Sequence, residues 1–128
     1  MRNKTVEELI PKAIKYINDN FHKFKHSEKD GIDKVYSGYL NAFGPTVTTA
    51  GLNRTVAFFE DDEKKKKKKI TDMLFSLLKE EGTIPENAKN LLDFINQNEN
   101  YKSFLIKNKI LAAAIACKLA IKTFKLEE

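Results

Sequence analysis

The side chains that could do chemistry are few: a histidine pair, one cysteine, a block of carboxylates and a set of lysines. His22 and His26 are four residues apart, which on a helix can bring two imidazoles to one metal ion. No third ligand stands at a matching interval, so the pair reads as two exposed histidines. Cys117 sits among alanine, isoleucine and leucine in "AAAIACKLAI"; burial there raises a thiol's pKa and makes it inert. Adjacent carboxylates at 60–63 point in different directions on a helix, and lysines follow four residues on. No acid pair of glycosidase type, no Ser/His/Asp set and no phosphate-cradling glycine loop is visible. The expectation is a non-catalytic chain with no cofactor, no metal and no small-molecule substrate.

The lysines are the stronger lead. Lys107, Lys118, Lys122 and Lys125 follow one another at separations of 11, 4 and 3, which sets them on one stripe if the segment is helical. Such a stripe can track phosphates, because lysines neutralise backbone charge without reading bases. Its alternative is the solvated face of a bundle helix. With Arg54 they form the candidate set for contact with a nucleic-acid backbone. The tract Lys64–Lys69 is either a second cationic patch or a solvated surface.

Bulk properties agree with a soluble binding module. At 128 residues, with 41% hydrophobic and 32% charged residues, the chain is expected to form one domain with a real core. A single cysteine excludes an internal disulfide. No signal peptide is evident in "MRNKTVEELI". The longest apolar run, "ILAAAIAC", falls far short of the roughly 20 residues that cross a membrane. A cytoplasmic protein without membrane contact is expected. The net charge of +5 is uneven: residues 70–100 hold two basic and six acidic groups, and residues 101–128 six basic and two acidic. This asymmetry favours a polyanion or an acidic protein surface as partner.

The elements that must position these residues are helical. Val6, Leu9, Ile10, Ala13, Ile14, Ile17 and Phe21 recur at three- and four-residue steps. Thr5 and Glu8 have capping-box spacing, and Pro11 argues for a later start. "HKFKHSEKDG" reads as a polar connection. A second helix carries Ile32, Val35, Tyr36, Tyr39, Leu40 and Phe43. Gly44 is expected to end it and Pro45 to open a short turn closed by Gly51, after which Leu52, Val56 and Phe59 begin another helix. The pairs Glu60–Lys64, Asp61–Lys65, Asp62–Lys66 and Glu63–Lys67 would support a helix through "EDDEKKKKKK", with a loop or frayed start as the alternative. A helix with Met73, Leu74, Leu77 and Leu78 ends at Gly82, and "TIPE" starts the next, with Leu91, Leu92 and Ile95 inward. The last helix, Tyr101 to about Lys125, would run about 37 Å. It is apolar on nearly all sides from Ile110 to Ile121, so others should pack around it. The fold class is therefore all-α: one domain, a bundle of about five to seven helices with a long, largely buried C-terminal helix and no sheet.

The segment "YLNAFGPTVTTAGLNRTVAFF" invites two comparisons. As a helix-turn-helix, Gly51 would be the turn glycine, but Arg54 falls where an aliphatic residue should point inward. Val56, Ala57, Phe58 and Phe59 also suit a core better than a DNA groove. The second comparison fits better. Tyr39, Phe43, Gly44, Pro45, Val47, Gly51, Leu52, Thr55, Ala57, Phe58 and Phe59 resemble the characteristic segment of the small α-helical subunit, fifth in the Cmr series, of type III-B CRISPR RNA-targeting effectors. "YKSFLIKNKILAAAIACKLAIKTF" resembles that family's closing helix, and the likeness spans roughly Thr5 to Phe124. Two departures are the lack of Trp, common in the family's last helix, and the "KKKKKK" tract.

The resemblance implies a non-catalytic subunit of a Cmr ribonucleoprotein in antiviral defence. Its partners would be other Cmr subunits, copies of itself, and guide and target RNA held through the backbone. Aromatic residues committed to packing, with no base-reading platform, agree with such a role. The other classes are a DNA-binding regulator and a helical interaction module without a nucleic-acid role.

Overall fold

The computed structural model describes residues 2–61, 65–97 and 103–128. In chain order the elements are α1 (Arg2–Asp19), α2 (Phe21–Phe24), β1 (Ile32–Asp33), α3 (Val35–Ala50), α4 (Leu52–Glu60), α5 (Lys66–Glu80), α6 (Leu91–Gln97), α7 (Ser103–Ile121) and β2 (Leu126–Glu127). The chain is an all-α bundle with a long C-terminal helix, as its periodicity predicts.

α1 buries Leu9, Ala13 and Ile17 completely and lays this face mainly on α7. It begins at Arg2 and runs through Pro11. Thr5 and Glu8 thus lie inside the helix, and the expected capping box does not form there. The proline is tolerated because the one acceptor it strands, the carbonyl of Glu7, belongs to an exposed position where water can serve it. The "polar connection" that follows contains a helical turn, α2, whose Phe24 is fully buried. An edge-to-face ladder explains this burial. Phe24 stands 5.1 Å from Tyr36 and 6.4 Å from Tyr16, and the series continues through Tyr39 and Phe59 to Phe43.

The Gly44–Pro45 corner is the main departure from expectation. α3 passes straight through it, and only Gly51, at φ +94°, ends the helix. A residue before proline normally avoids helical geometry because its Cβ meets the proline ring; Gly44 has no Cβ. Phe43 and Val47, both fully buried on either side, hold the segment to the core. At Gly51 the turn is sealed by the Thr55 hydroxyl, which donates to the Gly51 carbonyl at 2.7 Å. Val56 and Phe59 of α4 then point inward as expected.

The lysine-rich tract is no continuation of α4. The helix stops at Glu60 and α5 begins at Lys66, after Lys65 in the left-handed region at φ +63°. The pair Asp61–Lys65 therefore straddles a helix break; the other three pairings involve residues 62–64, which lie outside the described residues. α5 closes in a Schellman arrangement: Gly82, at φ +86°, donates to Lys79, and Thr83 donates to Leu78. "TIPE" does not start a helix. α6 starts at Leu91, where Asn90 Oδ1 accepts from the Asp93 amide at 2.7 Å and the Asp93 carboxylate accepts from the Lys89 amide at 2.9 Å.

α7 packs on α1, α3 and α5 and buries Ile106, Ile110, Ala113, Ala116, Cys117 and Ala120. It stops at Ile121, where Thr123 Oγ1 donates back to the Ala120 carbonyl; Tyr101, its expected start, lies outside the described residues. The chain then extends, and β2 pairs in parallel with β1, Ile32 opposite Leu126. This small sheet was not expected. Gly31 makes it possible, since a Cβ there would lie 2.6 Å from the Lys125 carbonyl oxygen.

Candidate nucleic-acid interface

The outer side of α7 is the first place to seek a binding surface. At 100° per residue, Lys107 and Lys118 fall on nearly the same azimuth, and Lys122 follows in the turn after Ile121. Lys107 and Lys118 are half-exposed and Lys122 is exposed. No salt bridge joins these three to an acid among the described residues. Lys118 lines a cleft of about 270 Å³ between α7 and α3, with Asn41, Gly44, Pro45 and Thr48 opposite. The cationic stripe thus runs beside the helix segment that carries the most distinctive sequence.

The structure does not gather all five candidate residues. Lys125 lies beyond the helix, where its ammonium pairs with Glu127 at 3.4 Å. Arg54 is exposed on α4, which packs on α3, α5 and α6. Only Lys107 and Lys118 share one side of α7; Lys122 extends the line into the turn after Ile121, and Lys125 lies past it, paired with Glu127.

The lysine tract has a different character from either reading given it. Lys69 Nζ donates to the Lys23 carbonyl at 2.8 Å and lies over the Tyr36 ring. Lys68 pairs with Asp72 at 3.2 Å and Lys66 with Asp33 at 3.9 Å. Lys67 Nζ lies 5.0 Å from the Tyr39 ring centroid and 5.3 Å from that of Phe58. Lys66, Lys67 and Lys69 thus tie the start of α5 to β1, α2, α3 and α4, while Lys68 pairs within α5 itself.

The remaining candidates are quiet. His26 Nδ1 accepts from the Glu28 amide, closing a local turn. Cys117 is fully buried, and burial pushes its thiol pKa well above the ordinary value. Among the described residues no three metal-binding side chains come together, and no helix is long and apolar enough to cross a membrane. Burial raises the Glu60 carboxyl above the ordinary glutamate range, even though it accepts from the Leu92 amide.

Besides Phe104 and Leu105 at the start of α7, 71% and 64% exposed, two exposed apolar features were missed by sequence reasoning. Ile115 and Leu119 of α7 are 48% and 43% exposed. They border a groove of about 580 Å³ whose far wall is Val6 and Ile10 of α1. Alanine-rich sequence hides this asymmetry, since small and large apolar residues look alike in a periodicity count. The second feature is Phe58, 60% exposed although its neighbour Phe59 is buried. The aromatics are thus not all committed to packing.

With this geometry in view, comparison with known proteins is informative. A family model described as CRISPR-associated protein (Cas_Cmr5) matches residues 10–122. Neither a curated protein nor a solved structure matches the chain.

Proposed function

The chain belongs to the Cas_Cmr5 family, whose members are subunits of the type III-B CRISPR complex, and from that premise we propose that it is a non-catalytic subunit that helps hold guide and target RNA by backbone charge. The observation that carries this reading is the line of Lys107, Lys118 and Lys122 along an open side of α7 and the turn after it. Cations so placed neutralise phosphates at little cost, because no carboxylate of the described residues is paired with them and has to be displaced first. Two lie on one helix and the third in the turn that follows it, which suits a partner recognised by spacing and charge rather than by base identity.

Other features support a structural rather than catalytic part. The buried, high-pKa Cys117 is a poor nucleophile. Among the described residues no three metal-binding side chains come together. In this reading the protein works in the cytoplasm, beside other Cmr subunits and further copies of itself, in defence against viral RNA. Family membership leaves the helix-turn-helix reading without support, and Val56 and Phe59 tie the would-be recognition helix into the core.

The test is charge reversal of Lys107, Lys118 and Lys122 together in the assembled effector, with target-RNA affinity measured across salt concentrations. The reading requires weaker binding and a shallower salt dependence. A separate co-purification must retain the other subunits, so that lost binding is not lost assembly.

A further inference from the structure

Phe58 is a large aromatic ring that the fold leaves open. It occupies the outer face of α4, 60% exposed, while the next residue, Phe59, is 3% exposed and packs edge-to-face on Phe43. Its surroundings are cationic on two sides. Lys67 Nζ lies over the ring at 5.3 Å from the centroid, and the same ammonium lies 5.0 Å from the Tyr39 centroid. Arg54 precedes Phe58 by four residues on α4 and is also exposed, so the two side chains are neighbours on one helix face. Asp61 bounds the patch one turn further on. A lone ring would be an ordinary surface residue; a ring with a lysine over it and an exposed arginine one helical turn away has the composition of a site for a stacked base.

Resting on the reading of this chain as an RNA-holding subunit, we propose that Phe58 is a stacking position for one unpaired nucleobase of the RNA, with Arg54 against the adjoining phosphate. Every base offers a π-face, so such a contact is tolerant of sequence and matches a subunit that must accept any target. The lysine already held over the ring keeps it oriented before RNA arrives. The site is separate from the α7 stripe: one contributes stacking from α4, the other backbone charge.

The experiment uses the full-length chain and two probes: an oligouridylate carrying 5-iodouridine, and an RNA of equal length in which the bases are replaced by abasic ribose. Ultraviolet irradiation of the first is expected to join the RNA to the peptide containing Phe58, and Phe58→Leu is expected to remove that product. In titrations at low salt, Phe58→Leu should weaken oligouridylate binding about fivefold, the low end for one base–aromatic stack, and leave the abasic RNA unchanged. Absence of the cross-link, its persistence in Phe58→Leu, or equal loss on both probes overturns the proposal. So does a Phe58→Leu protein that fails to join other Cmr subunits while binding oligouridylate normally, since Phe58 would then serve a protein contact. Failure of the backbone-charge reading is seen elsewhere, as unchanged salt dependence after reversal of Lys107, Lys118 and Lys122.

Discussion

Replacing Gly31 by alanine should unfasten the C-terminus from the body of the protein. The added Cβ would stand 2.6 Å from the Lys125 carbonyl oxygen and 2.8 Å from Glu127 Cγ. Ordinary contact needs about 3.4 Å or more, so the β2 backbone must retreat by most of an ångström; overpacking of that kind costs about 1–3 kcal/mol. The retreat pulls on two backbone bonds, from the Ile32 amide to the Lys125 carbonyl and from the Lys34 amide to the Glu127 carbonyl, each 2.8 Å long. At about 1 kcal/mol for each bond, the whole effect is about 2–3 kcal/mol. With a urea slope of about 2 kcal/mol per molar, the midpoint should fall by roughly 1 M. Gly38→Ala is the internal control: Gly38 is helical and nothing lies within 4 Å of an added Cβ. That change should stabilise by up to about 1 kcal/mol. If the two variants had the same midpoint, or if Gly31→Ala left it unchanged, the role given to the β1–β2 clamp would be wrong.

Other expectations concern the tract, the corner and the buried groups. Lys69→Ala should cost about 1 kcal/mol in urea unfolding, since it frees the Lys23 carbonyl and uncovers Tyr36, and should leave RNA affinity nearly unchanged. Gly44→Ala should gain less stability than Gly38→Ala, because only Gly44 precedes a proline within the helix; urea midpoints compare them directly. Glu60 has a folded-state pKa above its unfolded value, so the folded protein binds the extra proton and stability falls as pH rises through the glutamate range towards the raised folded value. Glu60→Gln should flatten that decline in a series of urea midpoints taken from acid to neutral pH. Cys117 should resist a thiol-labelling disulfide reagent in the folded protein and react promptly once urea unfolds it.

What the sequence makes legible is periodic. The inward faces of α1, α3, α4 and α5 follow from three- and four-residue spacing, and Gly51 and Gly82 announce themselves as positive-φ stops. Gly44 does not, because its use is the opposite one: it lets a proline stay inside a helix. The parallel pair of β1 with β2 is two residues long and joins positions some ninety residues apart, so no local pattern could signal it. The start of α6 rests on Asn90 and Asp93, a cap that the proline in "TIPE" obscures.

The candidate site was readable in kind and less so in extent. The spacing of Lys107, Lys118 and Lys122 is helical, but the end of α7 at Ile121, which leaves out Lys125, depends on where β2 must dock. Lys67 and Lys69 looked free because their partners lie in α2, α3 and α4 and include a carbonyl and aromatic rings, groups that charge counting ignores. Phe58 looked buried because it adjoins three residues that are apolar; only the docked helix shows which of two adjacent phenylalanines faces water.

The most direct test of the central claim is the salt dependence of target-RNA affinity for effector assembled with the natural chain or with Lys107→Glu, Lys118→Glu and Lys122→Glu combined. Each phosphate contact on a single strand contributes about 0.7 to the slope of log affinity against log salt. Losing three contacts should therefore make the slope shallower by about 2, with weaker binding at low salt and unchanged subunit composition. Identical slopes and affinities in the two assemblies would contradict the account and leave α7 a packing helix with a solvated face.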